Sequence, residues 1–416
     1  MINKKRMEAV SKKLRRCGVI FEALPARYGD CLFLSFLGPE RPLRLLVDGG
    51  PAGVFRTSLK SRLEQEQKAY REEVPLTIDA VMISHIDEDH ILGILDLFGV
   101  LQDAEQRHAP WPYRPRWLLH NSFDALAGEG EGGTARALGE ETVLAGLGNS
   151  DTLLVPNGRT PDPGAMMVLQ SYSQGSKLST MAAALKVTRN PPDQEVLSFS
   201  TVDPRVLRIG EATLTIVGPL QDEIDKLREK WHAWKKATQK DNASLASYLD
   251  DSIPNLSSIV VLVELRGRSI LLTGDARGDY ILDGLTKAGL VPNNKPLLVD
   301  VLKLPHHGSA RNIDLGFFQS IHAEHYVASG DGTYGNPDRE TLELIEEARP
   351  EGKFTVHLTY AASECDATHK VWRAKRKGVD PFEQGHDSIA DVVERWRGSD
   401  RIKVQEGPVR IELHSN

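Results

Sequence analysis

The stretch "VMISHIDEDHILGIL", residues 81–95, sets His85, Asp87, Glu88, Asp89 and His90 directly behind the apolar run Val81-Met82-Ile83. That run reads as a buried strand, and the chain turns apolar again from Ile91. Charges in a core are costly unless paired or coordinated, so the fold must neutralise these groups together. Two later apolar runs end the same way, "SILLTGDA" in Asp275 and "LLVDVLKLPHHGS" in His306 and His307. Imidazole with carboxylate binds Zn²⁺, Mn²⁺ or Fe, and a pair of such ions clamps the attacking and leaving oxygens of a displacement. Each piece alone is a modest signal. Three strand ends carrying such groups in one chain are a strong one, against the plainer reading that these acids only cap helices and pair with arginine.

The remaining segments supply the scaffold. "GVIFEALPA", "CLFLSFL" and "LRLLVDGG" alternate between Gly and Pro punctuation and predict an antiparallel meander. A polar helix over 55–73 precedes the motif strand. Residues 124–165 are Gly-rich and without rhythm, which suggests a long insertion or lid. In 221–249, Ile224, Leu227, Trp231 and Trp234 share one helical stripe. It reads as core, with base stacking beside Lys235 and Lys236 as the alternative. "SSIVVLVEL" and "SILLTGDA" predict a hairpin turning at Arg266-Gly267-Arg268. "AEHYVASG" and "FTVHLTY" predict strands around a helix near 338–348, an amphipathic helix follows at 386–398, and "GPVRIEL" closes the chain as a strand. The pattern predicts an α/β chain of two sheets covered outside by helices, an αββα sandwich.

A net charge of −7 announces no global basic field, yet residues 1–16 hold seven Lys or Arg against Glu8 alone. Residues 1–17 therefore read as a basic amphipathic helix, a solvated leader or else a phosphate-contacting or partner-docking arm. Residues 18–416 read as one domain with insertions near 121–200, 221–250 and 361–405. No apolar run is long enough for a membrane span, and Cys17, Cys31 and Cys365 form no disulfide framework, so a cytoplasmic setting is expected.

His85-Ile86-Asp87-Glu88-Asp89-His90 resembles the HxHxDH motif of the metallo-β-lactamase superfamily, in the HxDxDH form of its branch containing the ComEC-type competence nuclease domains. Asp48 in "LLVDGG" matches that superfamily's early supporting Asp. "PNLSSIVVLVELRGRSILLTGDA" looks like the branch's hairpin into Asp275, "DVLKLPHHGS" like its most recognisable string, and "YGNP" like its YGHP with Asn336 for His. The resemblance covers most of residues 18–360 plus the final strand.

The resemblance implies a metallo-β-lactamase fold of two mixed sheets flanked by helices, holding one or two divalent ions (Zn or Mn). Asp89, His90 and a His of the "HHGS" string, His307 more than His306, would hold one ion, Asp275 would bridge, and His85 with Asp87 would hold the second. Relatives usually add another His after a strand corresponding to "LTIVG", where this chain has Gly218-Pro219-Leu220, and His120 is a weak substitute. The second position is thus rich in oxygen, which shifts preference toward Mn²⁺ or Mg²⁺. Asp89 could also orient a metal-activated water, His306 could face substrate, and Lys303 and Ser309 could clamp a phosphate oxygen. The implied activity is phosphodiester cleavage, with nucleic acid or a nucleotide as substrate and a protein partner from a multi-component bacterial system left open. The alternatives are hydrolysis of a lactone or thioester, or a non-enzymatic partner subunit.

Overall fold

In a computed structural model of the protein, residues 17–38, 40–130, 133, 163–191, 195–201, 205–241, 257–292 and 295–415 are described. Cys17–Ala23, Leu32–Phe36 and Leu43–Val47 form an antiparallel meander, and Val409–His414 pairs antiparallel along its outer edge. Leu43–Val47 then runs parallel to Ala80–Met82, which runs parallel to Trp117–Leu119; Thr188–Arg189 completes a seven-stranded sheet. A second, eight-stranded sheet begins antiparallel, with Val206–Ile209, Ala212–Gly218, Val260–Leu265 and Arg268–Leu272. It continues parallel through Leu297–Lys303, Ile321–Ala328, Phe354–Leu358 and Ile402–Glu406. The hairpin before Asp275 turns on two residues, Arg266 and Gly267, both left-handed at φ 49° and 77°. That geometry matches the twist of the strands and leaves Arg268 inside the strand.

Strand alternation sorts the apolar residues into three layers. Leu32, Leu34, Leu45 and Val47 face the second sheet's Leu214, Val261, Leu272 and Val301, while Phe33, Leu46 and Val81 face outward. The Glu88–Gln106 helix covers that outer face with Ile91, Ile94, Leu97 and Phe98. Behind the second sheet, Leu271, Leu302 and Val356 meet helices Gly278–Lys287, Leu315–Ser320, Arg339–Ala348 and Ile389–Trp396. Fully burying each such side chain contributes about 1.5–3 kcal/mol, so the layers fix which rim the strand ends share. Among the described residues no helix is long and apolar enough to cross a membrane.

The Gln221–Asp241 helix forms as its stripe predicts. Trp231 is fully buried with Ile224 and Leu227, packs edge-on against Phe123 at 5.4 Å, and donates its indole N–H to Glu129 at 2.8 Å. It is therefore core, and base stacking by Trp231 is ruled out by burial. The side chain of Trp234, the basic helix at 1–16 and most of the Gly-rich 124–165 stretch lie outside the described residues.

Candidate metal centre

Every chemistry-bearing segment leaves the carboxyl end of a parallel strand on one rim. Leu43–Val47 leads to Asp48, Ala80–Met82 to Ser84 and His85, Arg268–Leu272 to Asp275, and Leu297–Lys303 to His306 and His307. The two sheets are tied there by the Ile259 amide, which donates to the Ser84 carbonyl at 2.8 Å. Gly274, left-handed at φ 51°, fits because a Cβ would meet that of Ser84 at 2.9 Å. His306 and His307 both take left-handed backbone, φ 48° and 56°. Such conformations are sparsely populated by non-glycine residues and persist where surroundings fix them. Here the His306 amide donates to Gly274 and the Asn336 side chain donates to the His306 carbonyl at 3.3 Å.

Asp275 is the centre of the cluster. One of its oxygens lies 3.3 Å from His90 Nε2, and the other lies 3.4 Å from His307 Nε2, 3.7 Å from His306 Nε2 and 3.9 Å from His85 Nε2. Asp89 reaches the same space, 3.2 Å from His307 Nε2 and 3.8 Å from His90 Nε2, and Asp87 lies 3.5 Å from His85 Nε2. Glu88 points elsewhere and accepts a hydrogen bond from Gln174 at 3.0 Å. All of these rings and the Asp275 carboxylate are buried except His306, which is partly open.

Behind the rings stand two buried carboxylates. Asp48 accepts from the Ser84 amide and hydroxyl at 2.8 and 2.7 Å and lies 2.9 Å from His90 Nδ1. Asp30 does the same for His307: one oxygen lies 3.3 Å from Nδ1 and accepts from Ser329. The other Asp30 oxygen meets Lys303 Nζ at 2.6 Å. Asp30 comes within 4.8 Å of the ligand atoms of His90, Asp275 and His307, but both its oxygens are engaged, so it orients His307 rather than offering itself as a ligand. A carboxylate on Nδ1 fixes the tautomer and turns Nε2 toward a metal. His85 has only the Ser84 hydroxyl, at 3.1 Å, behind it.

The electrostatics of the cluster follow from this crowding of rings and carboxylates. Burial pushes the Asp275 carboxyl upward, but His307, His90 and His306 overcome this and hold it well below the usual range. Burial disfavours charge on His90 and His307, yet Asp275 above all, with Asp89 and Asp48 around one ring and Asp30 at the other, raises both well above the ordinary value. The carboxylates thus make the cluster favourable for positive charge. His85 Nε2, His90 Nε2 and Asp275 Oδ1 are buried without a hydrogen-bond partner, which native structures rarely tolerate. Facing imidazole nitrogens and carboxylate oxygens fit a divalent ion: Asp30, His90, Asp275 and His307 offer atoms within 4.8 Å of one another, as do His85, Asp89 and His90, and these are the groups among the described residues that could hold one.

Two sequence-based expectations change here. Lys303 is fully buried, with Nζ on Asp30 and the Leu304 carbonyl, so it braces His307 through Asp30 and cannot reach a substrate phosphate. Ser309 is likewise buried and hydrogen-bonded to Asp338. His120 lies behind Ile86 and Gly175, in the wall of a cavity of about 540 Å³ that Tyr172 and Arg189 also line, apart from the ligand groups found among the described residues. Asp30 was missed: "YGDC" looks like turn chemistry, although a Gly-Asp pair entering a buried strand at Cys31 is itself a place where charge needs a partner. Gly29 permits this approach, since a Cβ there would strike the Asp89 carbonyl at 1.9 Å.

Residues 43–175 match the family model of the metallo-beta-lactamase superfamily. A stretch of 78 residues is 30% identical to human microtubule-associated protein 1A and 28% identical to the rat protein, covering 18% of this chain and 3% of either relative's length. Among solved structures, the metallo-beta-lactamase fold protein YhfI from Bacillus subtilis aligns at TM-score 0.34 and 12% identity, covering 95% of this chain and 99% of that one. A diphosphatase from the PhnP family aligns at TM-score 0.32 and 10% identity, covering 95% and 97%. The likeness to the metallo-beta-lactamase superfamily model is confined to residues 43–175, and the chain's two mixed sheets flanked by helices have the α/β sandwich architecture of the metallo-β-lactamase fold.

Proposed function

We propose that the protein is a metal-dependent hydrolase of phosphodiesters, acting on nucleic acid or a nucleotide. The observation that supports this best is the position of Asp275, whose carboxylate lies 3.3–3.9 Å from the Nε2 atoms of His90, His307, His306 and His85. A carboxylate so placed suits bridging, and paired ions suit the two oxygens of an in-line displacement at phosphorus. The HxDxDH and "PHHGS" strings favour the same substrate class. When bound, divalent ions supply Lewis acidity and lower the pKa of water toward neutrality. The chain's own part is to hold His90 and His307 in one tautomer through Asp48 and Asp30, and to exclude water from behind the rings. Asp89, on the more open side of the cluster, can accept the proton of an attacking water, and partly exposed His306 can meet a substrate oxygen. Oxygen donors at the His85 and Asp87 position favour Mn²⁺ over Zn²⁺ there.

The test is a substrate panel with protein loaded with Mn²⁺, with Zn²⁺, or stripped by chelator. Mn²⁺-stimulated cleavage of oligonucleotides and of an aryl phosphodiester, abolished by chelator, is expected. Untouched phosphodiesters beside an opened lactone or thioester would overturn the assignment.

A further inference from the structure

Lys303, the cation expected beside the His pair, is buried, but a different cationic surface borders the site. Tyr28 and Tyr334 pack edge to face at 5.3 Å, and Tyr334 and Trp372 do so at 5.9 Å. The Arg27 guanidinium lies 5.0 Å over Tyr28, and that of Arg376 lies 4.4 Å over Trp372 and 5.8 Å over Tyr334. Tyr334 is 52% exposed, and Arg27 and Arg376 are exposed. Around Trp372, "THKVWRAKRKG" (368–378) carries five Lys or Arg and no acid in a chain of net charge −7.

Both tyrosines are tied to the metal-facing residues through the backbone. Tyr28 stands two positions before Asp30, whose amide donates to the Asp89 carbonyl at 3.1 Å, and Asp89 and Glu88 are among the charges raising the Tyr28 hydroxyl's pKa after burial. Tyr334 stands two positions before Asn336, which holds the His306 carbonyl. Tyr334 also has left-handed backbone, φ 65°, in a loop that uses glycine at 330, 332 and 335. A non-glycine residue there costs on the order of 1–2 kcal/mol, and a half-exposed ring recovers little of that by burial.

We propose that Tyr28, Tyr334 and Trp372, with Arg27 and Arg376, form a stacking platform for single-stranded nucleic acid that seats bases beside the scissile phosphodiester. The substrate class rests on the phosphodiesterase reading above. Stacking on aromatic faces accepts any base and is worth about 1–3 kcal/mol per base. Guanidinium groups held over rings, as Arg27 is over Tyr28 and Arg376 over Trp372, stay pre-organised for phosphate contact. A single strand is favoured over a duplex because paired bases bury the faces the rings would use.

The test is anisotropy of a labelled, phosphorothioate-linked oligothymidylate of about twelve nucleotides with the full metal-loaded chain, beside an abasic strand of equal length and a duplex. Wild type should bind the base-bearing strand at least about fivefold more tightly than either comparison. Tyr334→Ala should weaken binding about tenfold, Tyr334→Phe should retain it, and Arg376→Glu should weaken it and flatten its salt dependence by about one counterion. Equal binding of the abasic strand or the duplex, or unchanged binding by Tyr334→Ala with its unfolding midpoint preserved, overturns the platform. Wild-type hydrolysis of the aryl phosphodiester, measured in parallel, separates the two readings. Base-dependent binding without any phosphodiester cleavage keeps the platform and removes the activity, while cleavage without base-dependent binding does the reverse.

Discussion

His90 and His85 lie on the same side of the cluster, 4.1 Å apart ring to ring, yet they are held very differently. His90, like His307, has a buried carboxylate on Nδ1, and each carboxylate is itself held by two further groups. His85 has a hydroxyl behind it and Asp87 in front, and Asp87 sits at the start of the Glu88–Gln106 helix without a capping bond of its own side chain. One half of the site is therefore built into the core and the other rests on its edge. Stiffness here comes from charge placed behind the ligand rather than from the ligand type.

Breaking the stiff half from behind should have the largest effect. Asp30→Ala leaves Lys303 as a fully buried ammonium without its partner, and removing one member of a buried pair costs about 3–5 kcal/mol. Chemical denaturation of the metal-free protein should show that loss, with Asp30 and Lys303 replaced together by Ala and Met recovering part of it. If the single variant loses under about 1 kcal/mol, the stiff half is not stiff. Asp275→Asn should follow, lowering the aryl phosphodiester rate by about a hundredfold, the size of loss seen for a preorganised electrostatic group. A change of less than tenfold in kcat would show that the carboxylate's charge between the rings is dispensable.

These contrasts also mark what was legible in the chain. Apolar runs between Gly and Pro punctuation located the meander, the hairpin and the buried strand before the motif, because strands packed on both faces are apolar along their length. His85 to His90, Asp275 and the His pair were legible because ionisable groups at the end of an apolar run are rare without a partner. Asp30 was not, since its partners Lys303, His307 and Ser329 lie in another sheet and no local spacing records a contact across sheets. Lys303 was misread for proximity to the histidines, although it shares strand parity with Val301, which faces the layer between the sheets. Trp231 shows the same lesson on a helix, where an apolar stripe states burial before it states function.

A third contrast concerns His120, which ends a strand on the same rim but has no carboxylate behind it. Burial above all, with the Arg189 charge adding to it and the Gly175 backbone opposing it, lowers its pKa to about 4, against about 6.5 in an unfolded chain. The sign follows: the native state holds His120 neutral, so its stabilising contribution is complete above about pH 6.5 and declines as pH falls toward 4. At pH 5 the loss is about 2 kcal/mol. His120→Gln should narrow the difference in unfolding free energy between pH 7 and pH 5 by that amount, and an unchanged difference would place the acid sensitivity elsewhere, with buried His357 the next group to test.

The smallest expected effect is the most direct comparison of the two halves. Outer partners of metal-binding histidines are worth about 10–100-fold in affinity, and only the His90 and His307 side has carboxylates in that role. After exhaustive dialysis, elemental analysis should find about one ion per chain retained and the second lost. Asp87→Asn should leave the retained ion in place, because Asp87 serves only the His85 position. Asp48→Asn should loosen that ion by at least about tenfold, because it frees the His90 ring to change tautomer. Two zinc ions held equally by the wild type would break the comparison at its root. The ligand count of the second position would then have to be made up from a residue outside those gathered around Asp275, and His120, at the end of the Trp117–Leu119 strand that neighbours Ala80–Met82, would be the first to substitute.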